Sequence, residues 1–160
     1  MNKTLWIMCG VPGSGKSWFA CNKLIKHYDW DYISRDEVRF SIIKDDEEYF
    51  SHETEVFNEF INKIATALDW GHDNVIADAT HLNWGSRRKL LQALEKNCVM
   101  EDVDVIPVVI EAKLKDILER NALRDGRARV PEETIRRMYN SMSNPEKDPY
   151  KYTAIMRVKN

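Results

Sequence analysis

The sequence predicts an α/β fold, a parallel sheet of about four to five strands covered by helices on both faces. Three observations carry this reading. The apolar period switches repeatedly between strand-like and helix-like along the chain. A glycine-rich loop at residues 10–15 separates the first strand from the first helix. No internal repeat, low-complexity tract or Pro/Gly/Ser-rich linker interrupts the 160 residues, which read as a single domain, 1–160.

The elements follow in order. Leu5 to Cys9 reads as a buried strand and Gly10 to Gly15 as a loop. Lys16 to about His27 reads as a helix with Phe19, Leu24 and Ile25 inward. Asp31 to Ser34 is a short strand, followed by a helix from about Glu37 to Lys44 and a solvated acidic turn, Asp45-Asp46-Glu47-Glu48. Ser51 to Trp70 is the clearest helix: Val56, Phe57, Phe60, Ile61, Ile64, Ala65 and Leu68 share one face, and Gly71 is a natural stop. Asn74 to Ala77 is a third strand and Trp84 to Lys96 a helix. Val103 to Ile110 is a fourth strand, in which Pro107 points to an edge or a bulge. Lys113 to Arg124 is a helix closed by Asp125-Gly126. Pro131 suits the first position of another helix, with Glu132 and Glu133 in its first turn. Thr153 to Val158 reads as a last strand.

Composition narrows the class. Hydrophobic residues are 43% and charged residues 31% of the chain, which excludes disorder and collagen-like repeats. No apolar run approaches the ~18–20 residues of a membrane helix, and Leu5 to Cys9 is too short for a signal peptide core. Cysteines at 9, 21 and 98 form no CxxC pair, so neither a disulfide framework nor a zinc site is expected, and a cytoplasmic location fits. The four histidines show no metal spacing. A net charge of −2 does not advertise nucleic-acid binding, which would need a local basic patch.

In such sheets ligands bind beyond the carboxyl ends of the strands. There stands Gly10-Val11-Pro12-Gly13-Ser14-Gly15-Lys16-Ser17, a match to GxxxxGK(S/T). Its glycines and tight turn let backbone N–H groups converge on an anion at the start of a helix. Lys16 supplies a mobile charge for β- and γ-phosphates, and the Ser17 hydroxyl a hard oxygen ligand for Mg²⁺. The guanine-specific NKxD motif is missing, and the chain is short for an ATP-driven motor with an additional domain. A compact kinase is the economical reading.

Ser34-Arg35-Asp36-Glu37-Val38-Arg39 follows the second strand. Asp36 is placed to orient an acceptor hydroxyl and take its proton. Arg39, three residues on, falls on the same side of the helix and suits an anionic part of the acceptor. The same stretch also reads as a capping box through Ser34 and Glu37, with Asp36 favourable to the helix dipole. The two readings are compatible. Asp78, before Ala79-Thr80, is a candidate to order Mg²⁺ water, or a strand-end turn cap. Arg120, Arg124, Arg127 and Arg129 spread over a helix end and loop, as an ATP lid requires, or form a solvated basic face. Arg120 and Arg124 are four apart and share a helical face on this reading. Arg87-Arg88-Lys89 and Arg136-Arg137 are solvated helix faces or contacts to an acceptor backbone. The five tryptophans read as core or rim, with Trp84 the candidate for stacking.

These elements resemble, in order and spacing, the kinase domain of the tailed-phage polynucleotide 5′-kinases. The resemblance runs over roughly residues 4–142 and is carried by Gly10 to Ser17, Arg35-Asp36-x-x-Arg39, Asp78-Ala79-Thr80-His81-Leu82-Asn83 with Arg87-Arg88, Glu119 to Arg124, and Val130-Pro131 through Met142. It implies a P-loop kinase fold with an arginine-rich lid over about 120–140. It implies ATP and Mg²⁺ as cofactors, with Gly10, Pro12, Gly13, Ser14, Gly15, Lys16 and Ser17 on the phosphates and Ser17 and Asp78 at the metal. Arg120, Arg124 and Arg127 would contact ATP from the lid, with Lys16, Asp36 and Arg124 catalytic. Asp36 would be the general base on a polynucleotide 5′-hydroxyl, Arg39 would bind its 3′-phosphate, and Thr80 and Arg87 would contact the acceptor. The family's aspartate can stand one position later, where this chain has Ala79. The resemblance implies DNA or RNA 5′-hydroxyl ends as partners and a nucleic-acid ligase in the same pathway. The bifunctional members continue into a 3′-phosphatase domain, and this chain is expected to be the kinase alone. A P-loop kinase of a small hydroxyl compound, such as a nucleoside, sugar or antibiotic, is the alternative, as is an ATP-binding interaction module without transfer chemistry.

Overall fold

The computed structural model describes residues 2–25 and 29–160. The chain runs through Lys3–Cys9 (β1), Lys16–Phe19 (α1), Trp30–Ser34 (β2), Arg35–Ile42 (α2), Glu53–Trp70 (α3), Asn74–Asp78 (β3), Trp84–Asn97 (α4), Val103–Glu111 (β4), Leu114–Ala122 (α5), Glu132–Asn140 (α6) and Met156–Lys159 (β5). The five strands form one parallel sheet in the order β2-β3-β1-β4-β5. This is the P-loop kinase-like α/β architecture.

Alternation along β1 explains the two layers of core. Leu5, Ile7 and Cys9 face one side, where Phe60, Ile61, Ile64 and Leu68 of α3 and Leu90, Leu91 and Leu94 of α4 bury them. Met8 faces the other side with Ile76, Val108 and Ile110, under Ala20 and Leu24. Both faces are thus covered, so the central strands read as nearly continuous apolar runs. A third, smaller cluster of Val11, Leu82, Ile117 and Ile135 fastens α5 and α6 beside the phosphate loop.

Several expected boundaries shift, each for a local reason. The first helix is α-helical only to Phe19 and continues as a π-helical turn over Ala20–Leu24, closed by Ile25 N–H donating to Ala20 O at 3.0 Å. Its expected end near His27 lies outside the described residues. α2 starts at Arg35, two residues early, because Ser34 Oγ accepts from the Glu37 N–H at 3.3 Å and caps it. Pro131 is the N-cap of α6 rather than its first residue. β5 starts at Met156, since Thr153 is held by its own bonds to Val105 before regular pairing begins.

Pro107 does not mark an edge strand, because β4 lies between β1 and β5. Val105 N and O both face Thr153, so the N–H that Pro107 lacks points to the same side. There β5 pairs only from Val108 onward, and no ladder bond is lost.

Arg87 corrects a more consequential expectation. The sequence offers it as part of a solvated helix face or as an acceptor contact, yet its side chain is 1% exposed and paired with Asp148, itself 2% exposed. The guanidinium donates to Asp148 at 2.6 and 2.9 Å, to His81 O at 2.9 Å and to Ser143 O at 3.1 Å. It is an internal strut that ties the segment after α6 to the loop after β3.

That loop also contains His81, at φ 40° and with its ring buried against Met8 O at 2.8 Å. The carbonyl must accept from Nδ1–H. Burial lowers the His81 pKa from 6.5 to about 4. Between these values the unfolded chain binds a proton that the folded chain refuses, so stability falls as pH falls through this window. From pH 6.5 to 5 the loss is about 2 kcal/mol. His81→Asn, which tolerates positive φ, should show a flatter fall in Tm over that range, and an unchanged slope would refute the assignment.

Candidate active site

The site is built where β1, β2 and β3 end. Gly13 and Gly15 have φ of 88° and 96°. A Cβ on Gly13 would meet Ile117 O at 2.8 Å, so side-chained residues are excluded by both strain and contact. The turn delivers Lys16 and Ser17 to the end of β3. Ser17 Oγ donates to Asp78 Oδ2 at 2.6 Å, Tyr32 OH donates to the same oxygen, and Lys16 Nζ lies 3.8 Å from Oδ1. Burial, reinforced by Asp78, raises the Tyr32 phenol, which therefore stays a donor.

Asp78 is buried, and its Oδ1 has no hydrogen-bond partner. A buried carboxylate oxygen without a hydrogen-bond partner, next to a serine hydroxyl, offers the oxygen ligands that a hard cation takes. Ser17 and Asp78 therefore fit Mg²⁺. The position one later, Ala79, is apolar and buried.

A second group faces this one. Asp36 Oδ1 accepts from Arg39 Nη1 at 2.5 Å and from Tyr49 OH. Arg39 is in turn gripped by Glu53, Nε to Oε1 at 2.8 Å and Nη2 to Oε2 at 3.0 Å, and it also donates to Tyr49 OH at 2.7 Å. Burial and then Asp36 raise the Tyr49 phenol, keeping it protonated toward the carboxylate. The Asp36 side chain remains 53% exposed while Arg39 is 5% exposed. Arg39, expected to bind an anionic part of the acceptor, borders the same cavity as Asp36 while already held by these partners. Both edges of its guanidinium are engaged, and it holds Asp36 in place. Arg35 also bonds Glu53, at 3.1 Å, but its buried Nε has no partner.

Pro12, Lys16, Ser17, Asp36, Arg35, Arg39, Tyr49, Phe50, Glu53, Asp78, Thr80, Val130 and Met138 border one cavity of about 160 Å³. Larger hollows along α2 and α3 contain neither the phosphate loop nor Asp36. Thr80 lies in the cavity wall and accepts the Gly10 N–H at 2.9 Å.

The lid arginines separate. Arg120 lies over the phosphate loop and donates to Gly13 O and Ser14 O at 3.4 and 3.3 Å. Arg124 does not share its helical face, because α5 ends at Ala122; Arg124 instead donates weakly to Ala128 O at 3.5 Å. Arg127 turns away from the loop. It donates to Lys44 O and Glu47 O at 2.9 and 3.0 Å and lies 5.4 Å over the Phe40 ring. In this structure it joins the lid to the acidic turn and does not touch the phosphate loop. Trp84 packs against the main core rather than standing free.

Sequence reasoning missed three contributors. Glu53, the clamp on Arg39, carries no motif and is 14 residues away. Asn121 ties the lid's ends by bonds to Val130 N and O; its only signal is a polar residue on the inward face of α5. Asn160 Nδ2 donates to Ser14 O at 2.8 Å, and nothing in the sequence marks it.

The AAA domain family matches residues 5–145. The chain belongs to this family. Its fold is shared with solved structures whose identity is too low to carry more than fold. A chain of the Pnkp1/Rnl/Hen1 RNA repair complex is 19% identical with a TM-score of 0.71, over 88% of this chain and 44% of that one. The present chain thus spans less than half of that relative's length. A fungal RNA kinase is 13% identical, TM-score 0.61, over 98% and 74% of the two chains. A gluconokinase from Sinorhizobium meliloti 1021 is 15% identical, TM-score 0.59, over 99% and 82%. Among the described residues no helix is long and apolar enough to cross a membrane.

Proposed function

We propose that the protein is a polynucleotide 5′-hydroxyl kinase of the tailed-phage type, which transfers the γ-phosphoryl group of ATP to the 5′ end of DNA or RNA. The observation that carries the proposal is the single cavity in which Lys16, Ser17 and Asp78 face a positioned Asp36 carboxylate. A phosphate cradle alone binds nucleotide; a carboxylate across from it, held by Arg39 and Tyr49, adds an acceptor side.

The chemistry is positioning and electrostatics. The acceptor 5′-oxygen bonds to the γ-phosphorus as the bond from that phosphorus to the bridging oxygen breaks, and ADP leaves. Asp36 orients the hydroxyl and takes its proton. Lys16 and the loop amides meet the phosphate charge, and Arg120 extends this from the lid. Ser17 and Asp78 would hold Mg²⁺, which would supply charge neutralisation at the phosphates. Arg39 positions Asp36 through the Glu53 clamp. Arg35, whose side chain borders the cavity, is the donor we assign to an acceptor phosphate.

Relatives in fold include both an RNA repair complex and a fungal RNA kinase, in keeping with this acceptor and with a ligase in the same pathway. The gluconokinase supports the second reading, a small hydroxyl acceptor. Salt separates them. At saturating ATP, an oligonucleotide held through one phosphate should lose about threefold in affinity between 50 and 200 mM salt. An acceptor KM that stays flat over that range would favour the neutral small acceptor.

A further inference from the structure

Phe50 is a large apolar side chain left 56% exposed, and it borders the same cavity as Asp36. Its neighbours fix its position. Phe50 meets Tyr49 edge-on, with centroids 4.6 Å apart at 86°, and Tyr49 meets Phe40 edge-on at 5.8 Å. Tyr49 also donates its hydroxyl to Asp36. The exposed ring is thus one residue from the phenol that holds the carboxylate. Arg39 lies 5.6 Å from the Phe50 ring and 4.2 Å from that of Tyr49, which helps fix the aromatic row. To the same cavity the lid contributes apolar Val130 and Met138.

The cavity therefore combines polar and charged side chains, Lys16, Ser17, Asp78 and Asp36 among them, with the apolar Phe50, Val130 and Met138. Such a lining suits an acceptor that carries both a hydroxyl and a flat apolar body. We propose that Phe50 is the stacking platform for the nucleobase of the acceptor's 5′-terminal nucleotide, so that the terminal base sets the register of the 5′-hydroxyl against Asp36. This rests on the polynucleotide reading and deepens it. A ring stacked on a base is tolerant of base identity, since every base has a π face.

The test compares a 5′-hydroxyl oligonucleotide with a normal terminal nucleotide against one whose terminal residue is abasic but keeps its sugar and hydroxyl. Wild-type protein should show an acceptor KM about tenfold higher for the abasic end, the scale of one lost base–aromatic stack. Phe50→Ala should raise KM about tenfold for the normal end only, and Phe50→Trp should restore it; ATP KM stays unchanged in both. Phe50 is on an exposed turn, and rescue by tryptophan separates stacking from damage to the fold. Equal use of both ends by the wild type, or an equal loss on both ends in Phe50→Ala, overturns the platform while leaving the polynucleotide reading intact. Failure to phosphorylate any oligonucleotide overturns both.

Discussion

Asp36→Asn is expected to lower phosphoryl transfer by about 10²–10⁴-fold, the range of a lost general base, while ATP still binds. The substitution is nearly isosteric. An asparagine oxygen can accept from Arg39 Nη1 and Tyr49 OH as Asp36 Oδ1 does, so the network around Glu53 survives. What disappears is the charge and the capacity to take a proton. Asp36 lies in the first turn of α2, where a carboxylate also favours the helix dipole, a contribution of roughly 0.3–1 kcal/mol. Stability should therefore fall only slightly. Single-turnover rates with an oligonucleotide acceptor, beside ATP titration of the same variant, check this. Loss of ATP affinity together with turnover would mean that Asp36 serves the helix end and not the acceptor.

Arg87→Ala should cost about 3–5 kcal/mol of stability, as expected when one partner of a buried ion pair is removed. The side chains of Arg87 and Asp148 are 1% and 2% exposed. Truncation would leave the Asp148 carboxylate in the interior with the Tyr152 hydroxyl, 2.7 Å away, and would strip the bonds to His81 O and Ser143 O. Against a typical total of 5–15 kcal/mol, that loss brings the fold to the margin. Lysine should not rescue it, since a point charge cannot reproduce the fork that meets both Asp148 oxygens. Replacing both partners by leucine should recover much of the loss, because no buried charge is then left alone. Urea unfolding of the three variants distinguishes this from an acceptor role, in which Arg87→Ala would stay stable and lose only affinity for substrate.

The contrast between these two residues shows what a sequence reveals. Asp36 is legible because much of its setting is local: Ser34 caps the helix, Glu37 supplies the capped N–H and Arg39 is one turn on, whereas Tyr49 comes from 13 residues away. The phosphate loop is legible for the same reason. Arg87 was misread because Asp148 is 61 residues away and no spacing rule links them. Arg39 was half legible. Its place beside Asp36 follows from helix geometry, whereas its clamp by Glu53 depends on how α2 packs against α3. The end of α5 at Ala122 depends on Asn121 turning inward to hold Val130, a tertiary contact that the amphipathic pattern does not encode. Arg127 follows from that early ending, since the loop after α5 then reaches the turn at Lys44 and Glu47.

The most direct test of the account is end-labelling. The protein is incubated with Mg²⁺, ATP labelled at the γ-phosphate, and an equimolar mixture of 5′-hydroxyl DNA and RNA oligonucleotides with neutral small hydroxyl compounds. The account predicts label on the 5′ end of an oligonucleotide, released by phosphatase and lost with Asp36→Asn. Label confined to the small compounds, or ATP bound without transfer to any acceptor, would contradict it.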